Sequence, residues 1–435
     1  MRRRAYGGTR VNHVDVATLL HGKESVGVTV GIDVGKHKLF AVCRWDDGTF
    51  ERPWRIQNPS ALPDLVKLLQ HVGGARKVVV AMESSGTYGD ALRQALADAG
   101  LELQRVGTKA AHDYAEVFDG VPSQHDGKDA AVVAELAALG KGTLWTYQPA
   151  DAWEQELAYG VDWMIAQRQM VALWQGRLEG LLGRHWPEAT RVLKLTSATL
   201  LKVLWHYGSP QALAADAEAG TRLRRWGGKL LDARKIERLL ADARASRGVR
   251  AGDWEKRQIQ DFAQQALPAR QQGLRGEGRL RVLARGHGVL EAQGQVIGMP
   301  TACVLWVSTG DPRPYHAAAA YRKAMGLNLV ERSSGEYQGA LRISKRGSAR
   351  SRQWLYFAVL RLVQQEGVRS WYEAKKARDP HAAKSVLVAL MRKLALALYQ
   401  VAVHHQEFDA RRLFARIPTG VPTVKESSGK LVVQA

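Results

Sequence analysis

Cysteine is nearly absent from this sequence, since its 435 residues include only Cys43 and Cys303. Two cysteines exclude a disulfide framework and a cysteine-based zinc site, and their scarcity is typical of a protein from a reducing cytoplasm. The sequence also lacks an uninterrupted apolar run long enough to cross a bilayer. The basic start at residues 1–4 is not followed by the apolar core of a signal peptide. We therefore expect a soluble, cytoplasmic protein without a membrane partner.

Acidic residues are the second shortage. Lys and Arg number 63 against 42 Asp and Glu, which gives a formal net charge of +21. A surplus of this size indicates a polyanionic partner such as nucleic acid, and solubility alone is the alternative explanation. The length suffices for two or three domains with separate cores.

Two of the scarce acids follow apolar strands. Residues 28–32 are strand formers that lead to Asp33, and the apolar run 77–82 leads in the same way to Glu83. A carboxylate at the end of a buried strand costs several kcal/mol to desolvate unless a cation or hydrogen-bond donors compensate it. A metal ion would supply that compensation. The alternative for Asp33 is a cap on the turn that follows it.

The pattern around these acids predicts an α/β domain. Strands are expected at 28–32, 39–44, 50–56, 77–82 and 101–106, with a hairpin turn at 46–48. Helices are expected at 60–71, at 88–99 and from Asp126 onward. This β-β-β-α-β-α-β-α order resembles the fold of ribonuclease H and RuvC-type nucleases.

A third acidic motif opens the predicted helix at Asp126. Asp126 and Asp129 are three residues apart and therefore share one face of its first turn. Alone, such a pair is explained by a favourable interaction with the helix dipole. Together with Asp33 and Glu83 it makes four hard oxygen ligands, the number that could hold two Mg²⁺ ions about 4 Å apart for phosphoryl chemistry.

Residues 146–290 have long helical patterns. We expect a helical spacer there, with coiled-coil-like pairing over residues 153–182. Its tryptophans are best explained as core residues. Its arginines exceed the needs of a solvated face, and we expect phosphate contacts from Arg222, Arg224 and Arg225.

Residues 291–415 are predicted to form a third, mainly α-helical domain, which contains Ser333 and Ser334 before a glycine. Serines beside glycine are ordinary loop residues, and spacing alone does not make Ser334 a nucleophile. The surroundings are nevertheless basic, as a site for a DNA phosphate would require. The flanking basic residues are Arg332, Arg342, Lys345, Arg346, Arg350 and Arg352.

Four motifs in this order resemble a known family, the DEDD-type transposases of bacterial insertion sequences, relatives of the invertase Piv that act as bridge-RNA-guided serine recombinases. The resemblance covers most of residues 26–410. Its motifs are Gly31-Ile32-Asp33-Val34-Gly35-Lys36, Met82-Glu83-Ser84-Ser85-Gly86-Thr87-Tyr88, Asp126-Gly127-Lys128-Asp129-Ala130, and the stretch 326–347 that contains Arg332-Ser333-Ser334-Gly335.

The resemblance implies a domain order and a set of site residues. It implies a RuvC-like domain at 26–145, a helical spacer at 146–290 and a transposase domain at 291–415. The basic, poorly patterned residues 1–25 are expected to form a loose arm that lies on phosphates or a disordered start, and 416–435 a disordered tail. The family's acidic positions fall on Asp33, Glu83, Asp126 and Asp129, as ligands of two Mg²⁺ ions or of Mn²⁺. Its serine falls on Ser334, and the family couples both in one composite site.

The resemblance also implies partners. Members of the family act as homo-oligomers, with dimers assembling to tetramers, on donor and target DNA. A structured noncoding bridge RNA pairs with both DNAs and supplies most of the sequence choice. A basic surface without a recognisable base-reading motif agrees with this division of labour.

Three departures from the family pattern bear on these expectations. Gln124-His125 replace the usual Lys-Thr, which removes a positive charge near the acids. The segment 296–300 lacks a Pro-Gly-x-Gly hairpin of the kind that binds DNA backbones. Leu329 replaces a proline, which affects the local turn.

The leading hypothesis is therefore an RNA-guided recombinase in which Ser334 forms a phosphoserine link to DNA. A hydrolytic junction or RNA nuclease that uses the four acids alone is the first alternative. A non-catalytic packaging protein is the second, and the acids disfavour it because clustered negative charge opposes binding to a polyanion.

Overall fold

The computed structural model describes residues 8–23, 26–74, 76–84, 86–120, 125–145, 147–331, 333–334, 339, 341–378 and 383–413. The chain divides into two compact units, 1–149 and 150–435. Each unit has its own core.

The described residues of the first unit form one mixed sheet in the order β1-β4-β3-β2-β5-β6-β7. Its central strands β2, β5 and β6 are parallel, whereas β3 runs antiparallel to both β2 and β4. The strands are β1 Thr9–Arg10, β2 Val28–Val34, β3 Lys38–Trp45, β4 Trp54–Gln57, β5 Val78–Glu83, β6 Glu102–Val106 and β7 Thr143–Leu144. This order is consistent with a RuvC-like fold.

Helices connect and cover the strands of this sheet. Their apolar faces are buried, as for Leu65, Leu69 and Val72 of the second helix. The helices are α1 Val16–Leu20, α2 Leu62–Gly73, α3 Asp90–Asp98, α4 Thr108–Ala115 and α5 Asp126–Leu136.

Helix α5 lies unusually close to strand β2, and Gly31 makes this possible. A Cβ atom on Gly31 would lie 2.1 Å from the Ala130 carbonyl oxygen and 2.3 Å from the Ala134 backbone nitrogen. Both are backbone atoms, so they cannot swing away as a flexible side chain can. An ion pair between Arg44 of β3 and Glu135 further fixes the helix to the sheet.

The second unit is almost entirely helical. Its described helices are α6 Ala152–His185, α7 Ala198–Tyr207, α8 Pro210–Ala215, α9 Ala219–Gly227, α10 Ala233–Arg244, α11 Asp253–Leu283, α12 Gly288–Ile297, α13 Met299–Thr309, α14 Ala318–Ala324, α15 Ala349–Leu362, α16 Glu366–Arg378 and α17 Ala383–His404. Two short strands, β8 Leu329–Val330 and β9 Arg342–Ile343, pair as an antiparallel hairpin.

The two longest helices, α6 and α11, pack along each other. Gly160 faces Leu280 and Gly276 faces Met164, so residue numbers rise along one helix as they fall along the other. The pair is therefore antiparallel, and glycines at the contact let the helices approach closely. One end of the pair packs with α7–α10, and the other packs with the C-terminal helices.

Helix α17 has the length and apolar composition of a membrane span. Its Leu387, Leu390, Leu394 and Leu398 are buried in the core of the second unit. The helix is not an uninterrupted apolar run, since it contains Lys384, Arg392 and Lys393. Its burial in a core accounts for its apolar character.

The sequence correctly predicts a mixed α/β N-terminal region followed by a mainly helical one. Within the predicted basic arm the structure describes residues 8–23, where Thr9–Arg10 pair with β4 and both Val11 and Leu19 are buried in the core. Helix α4 was not predicted, and β4 begins at Trp54 rather than at residue 50. The expected tail, 416–435, lies outside the described residues. The finer domain boundaries remain predictions.

The contact at Gly31 generates the first prediction. Gly31→Ala should lower the free energy of unfolding by about 1–3 kcal/mol, because the added methyl group meets backbone that must move. Denaturant unfolding of the purified chain measures the change. Gly73→Ala is the matched control, since its Cβ would lie at an ordinary 3.5 Å from Val78. Equal stability of the two variants would contradict the proposed close packing.

Candidate active site

The sheet register brings Asp33 and Glu83 together. Ile32 of β2 lies opposite Met82 of β5 in a parallel pair. The residues that follow them are therefore neighbours on adjacent strands, which run about 4.8 Å apart. Asp33 and Glu83 are both half-buried. The expectation that two strands deliver carboxylates to one edge of the sheet agrees with this register.

The N-terminus of α5 contributes the other two acids. Gly31 and Asp33 point to the same face of β2, because side chains two residues apart in a strand share a face. The close approach of α5 at Gly31 therefore also brings its first turn toward Asp33. Asp129 is half-buried and Asp126 is exposed.

Two neighbouring residues hold this first turn. His125 is the N-cap of α5, and its Nδ1 accepts a hydrogen bond from the Lys128 backbone nitrogen at 3.1 Å. Lys128, which is 1% exposed, pairs through its Nζ with Asp119 at 2.6 Å. His125 thus caps the helix. This role could not be inferred from the replacement of the family's usual Lys-Thr by Gln124-His125.

The four carboxylates interact electrostatically. Burial, followed by the charges of Asp129, Asp126 and Glu83, raises the pKa of Asp33 to about 6. Burial is also the main cause that raises the pKa of Glu83 and of Asp129. The structure therefore brings together all four acids that the sequence singles out, and holds like charges close enough to oppose ionisation.

The donor chemistry of this group fits a divalent cation. Four carboxylates are the hard oxygen ligands that Mg²⁺ and Mn²⁺ bind, and a cation would relieve their mutual repulsion. Among the residues that the structure describes, no three His, Cys, Asp or Glu side chains converge closely enough to hold an ion. The side chains would have to turn toward one another on binding.

Helix α4 adds two residues that sequence reasoning missed. The Thr108 side chain and the charge of His112, one turn later on α4, both lower the pKa of Glu83. Both effects oppose the rise that burial causes. No strand-end signal marks these residues, and the helix itself was not predicted.

Asn58 is a further residue that the sequence did not reveal. Its Nδ2 donates to the Gly35 carbonyl and to the Tyr88 carbonyl, both at 3.1 Å. These carbonyls belong to the loops that follow Asp33 and Glu83. A single buried amide therefore ties together the two segments that follow the carboxylate-bearing strands.

The predicted serine lies in the second unit, in the serine hairpin, which we define as β8, the connecting residues 331–341 and β9. Ser334 is exposed. Ser333 donates a hydrogen bond from its Oγ to Glu331 Oε1 at 2.6 Å. The two adjacent serines therefore differ in their surroundings.

The foot of the serine hairpin is tightly constructed. Gly326 has a φ of +69° and Gly347 a φ of +145°, which favour glycine. A Cβ on Gly347 would lie 2.2 Å from the Ala324 carbonyl oxygen. The Ser344 backbone nitrogen donates to the Asn328 carbonyl at 2.6 Å and so closes the base of the hairpin.

The predicted nucleic-acid contacts fall into different environments. Arg222 forms ion pairs with Asp216 and Glu218, so it already has a structural role. Arg350 pairs with Asp162. Arg332 lies outside the described residues. The remaining predicted basic residues are exposed: Arg224, Arg225, Arg342, Lys345 and Arg346.

Comparison with known families gives the class of protein. A DEDD transposase model of the IS110 type matches residues 30–183, a range that includes the four acids. A second model, described as the transposase IS116/IS110/IS902 family, matches residues 293–373, which include Ser334. The chain is thus a transposase of a bacterial insertion element, a class of enzyme that cleaves and recombines DNA.

A curated relative agrees with this family. The chain is 23% identical over 410 residues to a protein of Streptomyces coelicolor described as "Insertion element IS110 uncharacterized 43.6 kDa protein". The similarity covers 92% of this chain and 98% of the relative. This similarity agrees with the two transposase models that match the chain.

The repulsion among the acids generates the second prediction. Without divalent metal at pH 7.5, Asp126→Asn should melt at or above the wild-type temperature, because it removes one of the charges that oppose ionisation of Asp33. Added Mg²⁺ should then raise the melting temperature of the wild type more than that of the variant. Thermal unfolding with and without Mg²⁺ measures both effects.

Asp98→Asn is the control for this experiment, since Asp98 is an exposed acid at the end of α3. It should show the same Mg²⁺ response as the wild type. A metal-free Asp126→Asn variant that melts below the wild type, or that keeps the full Mg²⁺ response, would count against the four acids as a cation site.

Proposed function

We propose that this transposase is an RNA-guided serine recombinase related to the invertase Piv, with Asp33, Glu83, Asp126 and Asp129 as a metal-binding acidic set and Ser334 as the nucleophile. The observation that carries the proposal is the collection of four mutually repelling carboxylates at one edge of the sheet. Packing that forces like charges together without stabilising the fold is typical of a functional site.

The proposed step is a phosphoryl exchange. Ser334 Oγ attacks a DNA phosphorus and forms an Oγ–P bond, while the bond from phosphorus to one strand oxygen breaks. The proton leaves Oγ, and the departing strand oxygen takes up a proton. One phosphate ester replaces another, so the energy of the phosphodiester is conserved for rejoining.

The acidic set would support this step through the metal ion that it holds. When bound by these carboxylates, Mg²⁺ supplies Lewis-acid stabilisation to phosphoryl oxygens. Asn58 keeps the loops after Asp33 and Glu83 together, and Thr108 orients the Glu83 carboxylate. Lys128, paired with Asp119, fixes the turn that carries Asp126 and Asp129.

Guidance by RNA is supported by the net positive charge and by a basic surface that lacks a recognisable base-reading motif. The +21 surplus indicates extensive contact with phosphate backbone, which carries no sequence information. A bridge RNA that pairs with donor and target DNA would determine which DNA sequences the protein acts on. Such a protein acts in the bacterial cytoplasm, at the nucleoid.

Self-association is supported by an apolar stripe on α6. Tyr159, Trp163, Met170 and Leu173 are all 40% or more exposed, at spacings of four, seven and three residues. This near-heptad spacing suits pairing with a second copy of the same helix. A dimer that assembles to a tetramer is the oligomer we propose.

The runner-up function is a hydrolytic nuclease that uses the four carboxylates alone, with Ser334 as a loop residue. The exposure of Ser334 and the tight foot of the hairpin favour the recombinase, because a rigid base presents one hydroxyl group at a defined place.

The third prediction separates these two functions. Ser334→Ala should abolish a covalent adduct with DNA that carries an insertion-element end, and should slow strand exchange by about a thousand-fold or more. Ser333→Ala, the matched control, should retain the adduct, since it loses only a hydrogen bond to Glu331. Denaturing gels and mapping of the DNA-linked peptide measure the outcome.

Glu83→Gln completes this test, because it should stop cleavage while DNA binding persists. Wild-type cleavage by Ser334→Ala without any adduct would instead leave the hydrolytic function standing. Normal cleavage by Glu83→Gln would remove the acidic set from the mechanism.

The fourth prediction concerns the guide. The wild-type chain, purified without nuclease treatment, should retain one dominant structured RNA encoded beside its own gene, which sequencing of the bound RNA identifies. Binding of many unrelated cellular RNAs in proportion to their abundance would contradict RNA guidance and leave only general affinity for phosphate.

A further inference from the structure

Three half-buried arginines surround the turn at the foot of the serine hairpin. Arg352 of α15 donates from Nη1 to the Met325 carbonyl at 3.1 Å and to the Gly347 carbonyl at 3.0 Å. Arg392 of α17 donates from Nε to the Leu327 carbonyl at 2.9 Å. Arg322 of α14 lies close to Arg392, whose pKa is lowered by burial and then by the charge of Arg322.

Among the residues that the structure describes, no carboxylate pairs with these three arginines. Within the described residues, Arg322, Arg352 and Arg392 form no salt bridge, whereas several exposed arginines of the same unit do. Burial lowers the pKa of Arg352 as well. Partly desolvated cations without a counter-ion are costly, so an arrangement of three needs an explanation.

One unpaired donor points to a missing acceptor. Arg322 Nε is inaccessible to solvent and has no hydrogen-bond partner among the described residues. Within that part of the chain, no polar contact explains the position of the Arg322 side chain beside a second guanidinium.

We propose that Arg322, Arg352 and Arg392 form a phosphate-binding site at the foot of the serine hairpin, which holds the backbone of the DNA strand that the hairpin engages. Guanidiniums are planar, remain charged and bind phosphate oxygens with paired donors. Arg352 and Arg392 keep further N–H groups beyond those that bind the turn. An anion would satisfy these donors and remove the repulsion between Arg322 and Arg392.

The inference rests on the proposed function for its choice of DNA. Ser334 lies seven residues beyond Leu327, up to about 23–25 Å of extended chain. The phosphate held at the foot would therefore lie within about 25 Å of Ser334 along the same DNA strand, and the arginines are positioning residues. They would fix the strand relative to Ser334 without touching the reacting atoms.

A purely structural role of the three arginines predicts a different effect of their replacement. Arg352 and Arg392 bind backbone carbonyls, so their loss would disturb the turn under either explanation. Arg322 distinguishes the two explanations, because its side chain forms no hydrogen bond with any residue that the structure describes. If Arg322 binds DNA, its replacement should leave the stability of the fold unchanged. If Arg322 stabilises the turn, its replacement should lower that stability.

The fifth prediction compares Arg322→Gln with Lys323→Gln, a neighbouring exposed residue of the same helix and the same charge. The probe is a duplex with an insertion-element end, at several salt concentrations. Arg322→Gln should weaken binding about ten-fold and reduce the salt slope by about one, since one phosphate contact is lost. Lys323→Gln should change both much less. The melting temperature of Arg322→Gln should equal or exceed that of the wild type.

Inorganic phosphate provides an independent probe. It should raise the melting temperature of the wild type and of Lys323→Gln, and should do so less for Arg322→Gln. Equal DNA affinities and salt slopes for both variants, or a lower melting temperature for Arg322→Gln, would overturn the proposal. A duplex RNA of the same sequence distinguishes the nucleic acids, and loss of RNA binding alone would overturn the assignment to DNA.

The failure of this inference is distinguishable from failure of the proposed function. If the wild type forms the Ser334 adduct but Arg322→Gln binds DNA normally, only the arginine site fails. If no adduct forms but Arg322→Gln alone loses DNA affinity, the phosphate site stands and the serine chemistry fails.

Discussion

The close packing of α5 on β2 is the constraint on which the acidic site depends. Four carboxylates repel one another, and at 4 Å a single like-charged pair costs about 4 kcal/mol at an effective dielectric constant of 20. Helix α5 offsets this by burying apolar side chains, among them Val132, Val133 and Leu136. Each such side chain contributes about 1.5–3 kcal/mol. The sheet thus supplies the energy that keeps Asp129 near Asp33, and Gly31 supplies the space.

The sequence could reveal the acids because their signals are local. Asp33 and Glu83 end apolar strands, and Asp126 and Asp129 open a helix, so short windows suffice to find them. The α/β order of the first unit follows from the same periodicities. Helix α4 was missed because its apolar pattern is weak and only Ala111 and Ala115 are buried.

Residues that act across long stretches of chain could not be found in this way. Asn58 joins loops 23 and 30 residues away in the sequence, and the buried Lys128 pairs with Asp119, which lies in the preceding segment of the chain. Arg222 was expected to bind phosphate, yet Asp216 and Glu218 already engage it. Charge counts identify the excess of arginines. They cannot identify which of them the fold has already paired, because that depends on neighbours brought together by folding.

The two units share a physical principle, although each is built separately. The first holds carboxylates whose repulsion is only partly offset by Lys128 and His112, and the second holds Arg322, Arg352 and Arg392 without ion pairs among the described residues. A stable core does not need either arrangement, since replacing buried charges by apolar side chains is often neutral or stabilising. In the two proposals made above, a ligand of opposite charge would offset each imbalance, a cation for the acids and a phosphate for the arginines. A DNA-processing enzyme would need both ligands, so the charges that weaken each unit alone would suit it to its substrate.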